Sequence, residues 1–145
     1  MKCLLQRVKT ARVEIDGANV GQINQGLLVF VCAEPHDTEQ TAQQAVDKIL
    51  KLRIFSDAAG RMNRSVTQIH GGLLIVSQFT LAADTRKGNR PSFTQAAPPE
   101  QGKALYDAFL NYARSQHPIV ESGIFGADMQ VHLVNDGPVT IPLEF

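Results

Sequence analysis

The chain has 145 residues, enough for one domain with a sizeable core. Hydrophobic residues make up 43% and charged residues 19%, which excludes an intrinsically disordered chain. Lys+Arg and Asp+Glu are both 14, so the balanced charge argues against a strongly basic, sequence-indifferent nucleic-acid binder and leaves room for a local patch only.

Met1–Arg7 lacks the long apolar core of a signal peptide, and no apolar run is long enough to cross a membrane. Two cysteines, Cys3 and Cys32, do not make a disulfide framework. The expectation is a cytoplasmic, reduced protein. Cys3–Ile15 is rich in Val, Leu and Ile with partial alternation and predicts a long strand. Asp16-Gly17-Ala18-Asn19 is a turn signal, and Val20–Ile23 returns as a hairpin partner. Leu27–Val31 is a continuous apolar run bounded by Gly26 and Pro35, hence a buried strand. Asp37 or Thr38 caps a helix whose inward face carries Ala42, Ala45, Val46, Ile49 and Leu52. Ser56–Gly60 is a turn, and Leu73–Val76 the next buried strand.

Asp84–Arg90 is a polar loop containing Gly88. Pro98-Pro99-Glu100 opens a second helix, with Leu105, Ala108, Phe109 and Tyr112 on one face and Pro118 past its end. Val120–Ser122, Met129–Val134 and Val139–Leu143 complete the sheet. Several strands and two separated helices predict a single α+β domain over residues 1–145, with a strongly curved or barrel-like sheet and the helices packed on it.

Side-chain catalysts are scarce. Ser77 and Thr80 stand at the end of a strand with no sequence-local histidine and no Gly-x-Ser-x-Gly elbow, so strand-end hydrogen bonding is their plain role. His36, His70, His117 and His132 have no metal-ligand spacing. His132 lies in an apolar alternation and is expected to face solvent. Cys3 and Cys32 fit buried small hydrophobes. Asp57 with Asp84, or Glu14 with Asp16, fit solvated turns better than an acid/base pair. Arg86, Lys87 and Arg90 against Asp84 make a locally positive loop, either solvation or a phosphate-backbone contact. Gly137-Pro138 fits a turn between two strands, and frequency alone favours a trans bond.

Three segments together resemble the D-aminoacyl-tRNA deacylase family. They are Leu5-Gln6-Arg7-Val8; Ser77-Gln78-Phe79-Thr80-Leu81 continuing through Arg90-Pro91-Ser92-Phe93; and Asp128-Met129-Gln130-Val131 continuing through Asn135 to Thr140. Arg53–Asp57 also fits. The resemblance spans the chain. It implies hydrolysis of the ester joining a D-amino acid, or mischarged glycine, to the 3′ ribose of tRNA, with L-aminoacyl-tRNA rejected and no cofactor or metal. It implies a homodimer in which Gly137-Pro138, in cis, is contributed across the interface and braced by Arg7. It assigns Ser77, Gln78, Phe79 and Thr80 to catalysis, with backbone N–H groups of 78–80 facing the oxyanion or Thr80 as nucleophile. Arg7, Met129, Gly137 and Pro138 fall to substrate binding, and the neighbouring Arg86, Lys87 and Arg90 to the RNA. A non-catalytic RNA-end-binding module and a purely structural dimeric β protein remain as rival readings of the same loops.

Overall fold

The computed structural model describes residues 1–145. Strand β1, Lys2–Ile15, is the spine of the sheet. One of its edges is shared: Lys2–Val8 pair with β3, Gly26–Cys32, and Ala11–Ile15 pair with β2, Ala18–Ile23. The other edge pairs with β8, Gln130–Glu144. Strand β3 runs parallel to β6, Gly72–Ser77, and β6 runs parallel to β7, Val120–Ser122. A separate small hairpin joins β4, Phe55–Ser56, to β5, Met62–Arg64. The order β2-β1-β3-β6-β7 curls until its ends meet. A Cβ on Gly21 of β2 would lie 2.7 Å from the carbonyl oxygen of Ser122 in β7, so only glycine lets the two edges close. The result is the expected single α+β domain with a nearly closed, barrel-like mixed sheet.

Parallel neighbours require crossover connections. Helix α1, Glu39–Lys51, carries the chain from β3 towards β6, and α2, Pro99–Gln116, carries it from β6 to β7. Both helices therefore cover one side of the sheet. There Leu5, Val29 and Ile75 meet Ala42, Val46 and Ile49 of α1 and Tyr106 and Phe109 of α2. Alternate residues point into the barrel, where Val8, Val13, Leu28, Leu74 and Val76 form a second cluster. Strand β6 is buried on both faces, which is why its sequence is an unbroken apolar run.

Thr38, not Asp37, caps α1. Its Oγ1 accepts from Thr41 N and its own N–H donates to Thr41 Oγ1, a reciprocal cap worth about 1 kcal/mol. Asp37 is instead buried against the α-ammonium of Met1 at 2.6 Å, with Glu34 at 3.0 Å and the Phe145 carbonyl at 3.1 Å. Leu52 is the C-cap of α1 and, partly buried, packs against the same core. The buried face of α2 is also rotated from expectation: Tyr106, Leu110 and Ala113 join Leu105 and Phe109, while Ala108 and Tyr112 flank it. The two strands expected at Met129–Val134 and Val139–Leu143 are one, since all but Met129 belongs to β8.

Candidate functional site

At the carboxyl end of β6 the chain leaves the sheet through Gln78 and turns at once into a short 3₁₀ helix, Phe79–Ala82. Gln78 N–H donates to the Val31 carbonyl at 2.8 Å, so it finishes the β3–β6 ladder and is not free for a substrate. This corrects the expectation for Gln78. The turn closes through Leu81 N–H to Gln78 O and Ala83 N–H to Thr80 O. The N–H groups of Phe79 and Thr80 open the turn and so have no acceptor within it. Two adjacent backbone donors thus sit at the strand end. The Gln78 amide holds Thr80 Oγ1 at 2.5 Å.

Beside them lies a cleft of about 670 Å³. Phe79, Phe93, Tyr106, Phe125, Met129 and Val131 form much of its wall, with Ser77 and Cys32 deeper. Phe79 is 55% exposed and meets Phe93 edge-on, ring centroids 5.0 Å apart. No histidine, lysine, arginine or carboxylate lines this cleft. Its two titratable groups are inert near neutral pH. Burial pushes the Cys32 thiol up, and burial pushes Tyr106 up to about 12 while its hydroxyl donates to Ile75 O at 2.9 Å. Ser77, Gln78 and Phe79 line the cleft, whereas Thr80 stands just outside it, and neither Ser77 nor Thr80 has a base to activate it, so the strand end offers positioning and backbone N–H donors rather than side-chain proton transfer. Cys3, outside the cleft, is pushed up to about 12 by burial.

Gly137 and Pro138 lie elsewhere. In the β1–β8 ladder Val8 pairs with Asn135 and Gln6 with Thr140, so residues 136–139 bulge out opposite Arg7 alone. The Gly137-Pro138 bond is cis, which reverses the expectation from frequency, and the segment is a bulge within one strand rather than a turn between two. Asn135 spans the bulge: its side-chain oxygen accepts from Val139 N–H at 2.8 Å and its amide donates to Thr140 Oγ1 at 2.9 Å. Arg7 donates to the Asp136 carbonyl at 2.8 Å and to the Ile54 carbonyl at 2.6 Å. Gly137 has φ +140°, and both it and Pro138 are exposed. Neither lines the cleft of Ser77–Thr80. Met129, just before β8, does.

Arg86, Lys87 and Arg90 are exposed, as a loop predicts, but they are not equivalent. Arg86 grips Asp84 with Nε at 2.8 Å and Nη2 at 2.6 Å, and these bonds hold the Asp84 carboxyl down at about 2. Asp84 and Ser92 also exchange backbone hydrogen bonds, closing the loop at the base of Phe93. Lys87 and Arg90 have no ion-pair partner. Among the histidines, His117 caps α2 and is buried with Nε2 2.7 Å from Gly71 O, and His132 meets Glu14 at 3.1 Å on the surface. The cleft walls Tyr106 and Phe125 escape a sequence reading, because Tyr106 occupies a helical core position and Phe125 a loop.

The chain is similar over nearly its whole length to known proteins. The family model described as D-Tyr-tRNA(Tyr) deacylase matches residues 4–144. A D-aminoacyl-tRNA deacylase of Paracidovorax citrulli is 68% identical over 143 residues, covering 99% of this chain and 92% of that protein. One of Ectopseudomonas mendocina is 61% identical, covering 99% of both. A solved structure described as c-Myc DNA Unwinding Element Binding Protein superposes with a TM-score of 0.95 at 41% identity, covering 100% of this chain and 99% of that one. A second, described as a probable eukaryotic D-amino acid tRNA deacylase, superposes with a TM-score of 0.86 at 20% identity and shares the fold.

Proposed function

We propose that this chain, which belongs to the D-Tyr-tRNA(Tyr) deacylase family, hydrolyses the ester between a D-amino acid and the 3′ ribose of tRNA. Free tRNA and the D-amino acid are released, a chiral proofreading step in translation. The observation that carries the mechanism is the cleft without a base beside the N–H groups of Phe79 and Thr80. An aminoacyl ester is already activated, so holding its carbonyl against those donors and leaving water an approach supplies the reaction. The ribose 2′-hydroxyl, adjacent to the ester, is available to assist. Ser77 and the Gln78 side chain shape the floor, and Met129 the wall.

The active unit is a homodimer. Gly137 and Pro138 are exposed and do not line the cleft of their own chain, which suits the arrangement the family resemblance implies, in which a second copy brings them to it. The bulge, pinned by Arg7 and Asn135, then stands as a rigid backbone wall near the substrate Cα. An L-substituent clashes with it, whereas a D-substituent or the hydrogen of glycine does not. Glycine mischarged on tRNA is therefore a second substrate. Lys87 and Arg90, with a smaller share from the neutralised Arg86, hold the tRNA backbone. No helix is long and apolar enough to cross a membrane, and a substrate of translation places the protein in the cytoplasm.

The test compares D-tyrosyl- and L-tyrosyl-tRNA in single-turnover hydrolysis, with sedimentation on the same sample. Hydrolysis of the D-ester alone, by a dimer, is the expected result. Equal rates on both esters, or a fully active monomer, would refute the composite chiral site.

A further inference from the structure

A second, polar pocket of about 310 Å³ adjoins the Gly137-Pro138 bulge, and the reaction outlined above makes no use of it. Arg7, Ser56, Arg64, Gln68, His70 and Asp136 line it. Its character is opposite to that of the ester cleft. Arg7, Arg64 and His70 are among its lining residues, Arg7 being committed to the Asp136 and Ile54 carbonyls, and its single carboxylate, Asp136, lies 3.7 Å from Arg7 Nε. The Arg64 fork is held from one side, its Nη2 donating to the Gln68 carbonyl at 2.5 Å. Gln68 is itself fixed by Ser65, through Ser65 N–H to Gln68 Oε1 at 2.9 Å and Gln68 N–H to Ser65 Oγ at 3.3 Å. His70 stands at the pocket in a left-handed conformation, φ +53°, one that histidine adopts more readily than most residues.

Charge is concentrated here. Over residues 51–70 the chain places Lys51, Arg53, Arg61 and Arg64 against Asp57 alone, in a protein with no net charge, and of these Arg64 lines the pocket while the others stand in the segments around it. Asp57 is taken up by its own turn and by Arg61. The pocket and the bulge are also one mechanical unit. Arg7 bonds at once to Asp136 in the bulge and to Ile54 beside the hairpin of β4 and β5. Because the proposed function sets the Gly137-Pro138 wall beside the aminoacyl ester, the pocket adjoining the bulge stands near the nucleic acid that carries that ester.

We propose that this pocket binds a backbone phosphate of the RNA acceptor end, gripped by the Arg64 fork and by His70. Guanidinium forks match phosphate oxygens in geometry and charge. In the dimer, one subunit supplies the ester cleft while its partner supplies both the chiral wall and this phosphate grip. The inference rests on the deacylase reading for its ligand.

The experiment titrates an uncharged acceptor-stem RNA hairpin ending in CCA against wild type, Arg64→Ala, Arg64→Lys and His70→Asn across a salt series. Asparagine tolerates the left-handed backbone at position 70. Arg64→Ala should weaken binding about 5- to 10-fold and lower the slope of log K against log salt by about 0.7–0.9, the share of one neutralised phosphate. Arg64→Lys should keep the slope and lose part of the affinity, since the charge remains and the fork does not. Unchanged affinity and slope in Arg64→Ala and His70→Asn overturn the proposal. So does a weakening that appears only as dimer dissociation in sedimentation, which would assign the pocket to the subunit interface. Wild-type hydrolysis of D-tyrosyl-tRNA is measured on the same preparation. Inertness there with the salt effect intact would sink the deacylase reading and leave the pocket an RNA site.

Discussion

Replacing Gly137 by alanine is the sharpest test of the wall. A Cβ at this position would lie 2.8 Å from Val139 Cγ2, 3.0 Å from Arg7 Nη2 and 3.1 Å from Val139 N. Val139 is buried and has little room to rotate away. A φ of +140° is outside the comfortable range of any L-residue, a strain of about 1–3 kcal/mol. Pushing Arg7 aside also weakens its bonds to the Asp136 and Ile54 carbonyls, each worth about 1.5–3 kcal/mol for a charged donor. Strain together with partial weakening of those bonds gives a destabilisation of about 2–4 kcal/mol. For a chain of this size that lowers the melting temperature by roughly 5–15 °C. Displacing the wall by about an ångström should slow D-tyrosyl-tRNA hydrolysis on the order of 10²-fold. Thermal unfolding and single-turnover hydrolysis measure the two effects separately. Adding Val139→Ala removes the nearest clash but not the strain at φ, so the double variant should recover stability in part. Wild-type melting and wild-type rate in Gly137→Ala would show a plastic loop, and the wall argument would fall.

The hydroxyl of Thr80 should matter little: Thr80→Ala is expected to keep activity within about tenfold, and a drop of about 10²–10³ with folding and RNA affinity intact would restore it as nucleophile. Replacing Lys87 and Arg90 together should flatten the salt dependence of tRNA binding by about 0.7–0.9 for each phosphate no longer neutralised, while Arg86→Ala should change it less because Asp84 already neutralises that charge. An equal slope change from Arg86 alone would contradict this ranking. The Met1 α-amino group bears on stability against pH. Burial alone would lower its pKa, but hydrogen bonds and charge from Asp37 and Glu34 outweigh burial and raise it above its usual 8.0. The stability it contributes is fully present below pH 8 and is lost as pH rises through the raised value. Asp37→Asn should destabilise the fold by about 3–5 kcal/mol at neutral pH and remove most of that alkaline dependence. Parallel stability profiles of the two proteins above pH 8 would disprove the role of the clamp.

Much of the fold is written in local pattern. The period-two stretches of β1 and the unbroken apolar run of β6 announce a half-buried and a doubly buried strand, and Asp37-Thr38 marks the start of α1 without saying which of the two is the cap. What local pattern does not carry is register. Nothing around Asn135–Thr140 distinguishes a turn from a bulge. The difference is fixed by β1, more than a hundred residues away, which pairs on both sides of the segment and leaves only Arg7 opposite it. The buried face of α2 departs from its pattern for a related reason. Tyr106 carries a polar hydroxyl that argues against a core position, yet that hydroxyl finds the Ile75 carbonyl, and the satisfied polar group lets the ring be buried. The Gln78 N–H is another case: in sequence it stands beside two free donors, and only the parallel partner β3 shows that Val31 has claimed it.

These long-range effects also explain why the chemistry leaves so faint a mark in side chains. Discrimination between D- and L-substrates must hold for every amino acid, so a pocket complementary to one side chain would defeat it. The recognising element has to meet what all the esters share, the Cα and the carbonyl. Backbone suits that task, because its shape is set by hydrogen bonds such as those of Arg7 and Asn135 rather than by the residue type that meets the substrate. The same logic favours N–H donors of the Phe79–Thr80 turn over a charged catalyst, which would also promote hydrolysis of an L-ester that strayed into the cleft. Side chains here hold the backbone in place. Substitutions at Arg7 and Asn135 should accordingly damage activity more than substitutions of Ser77 or Thr80, even though the proposed function sets the ester closer to the hydroxyls.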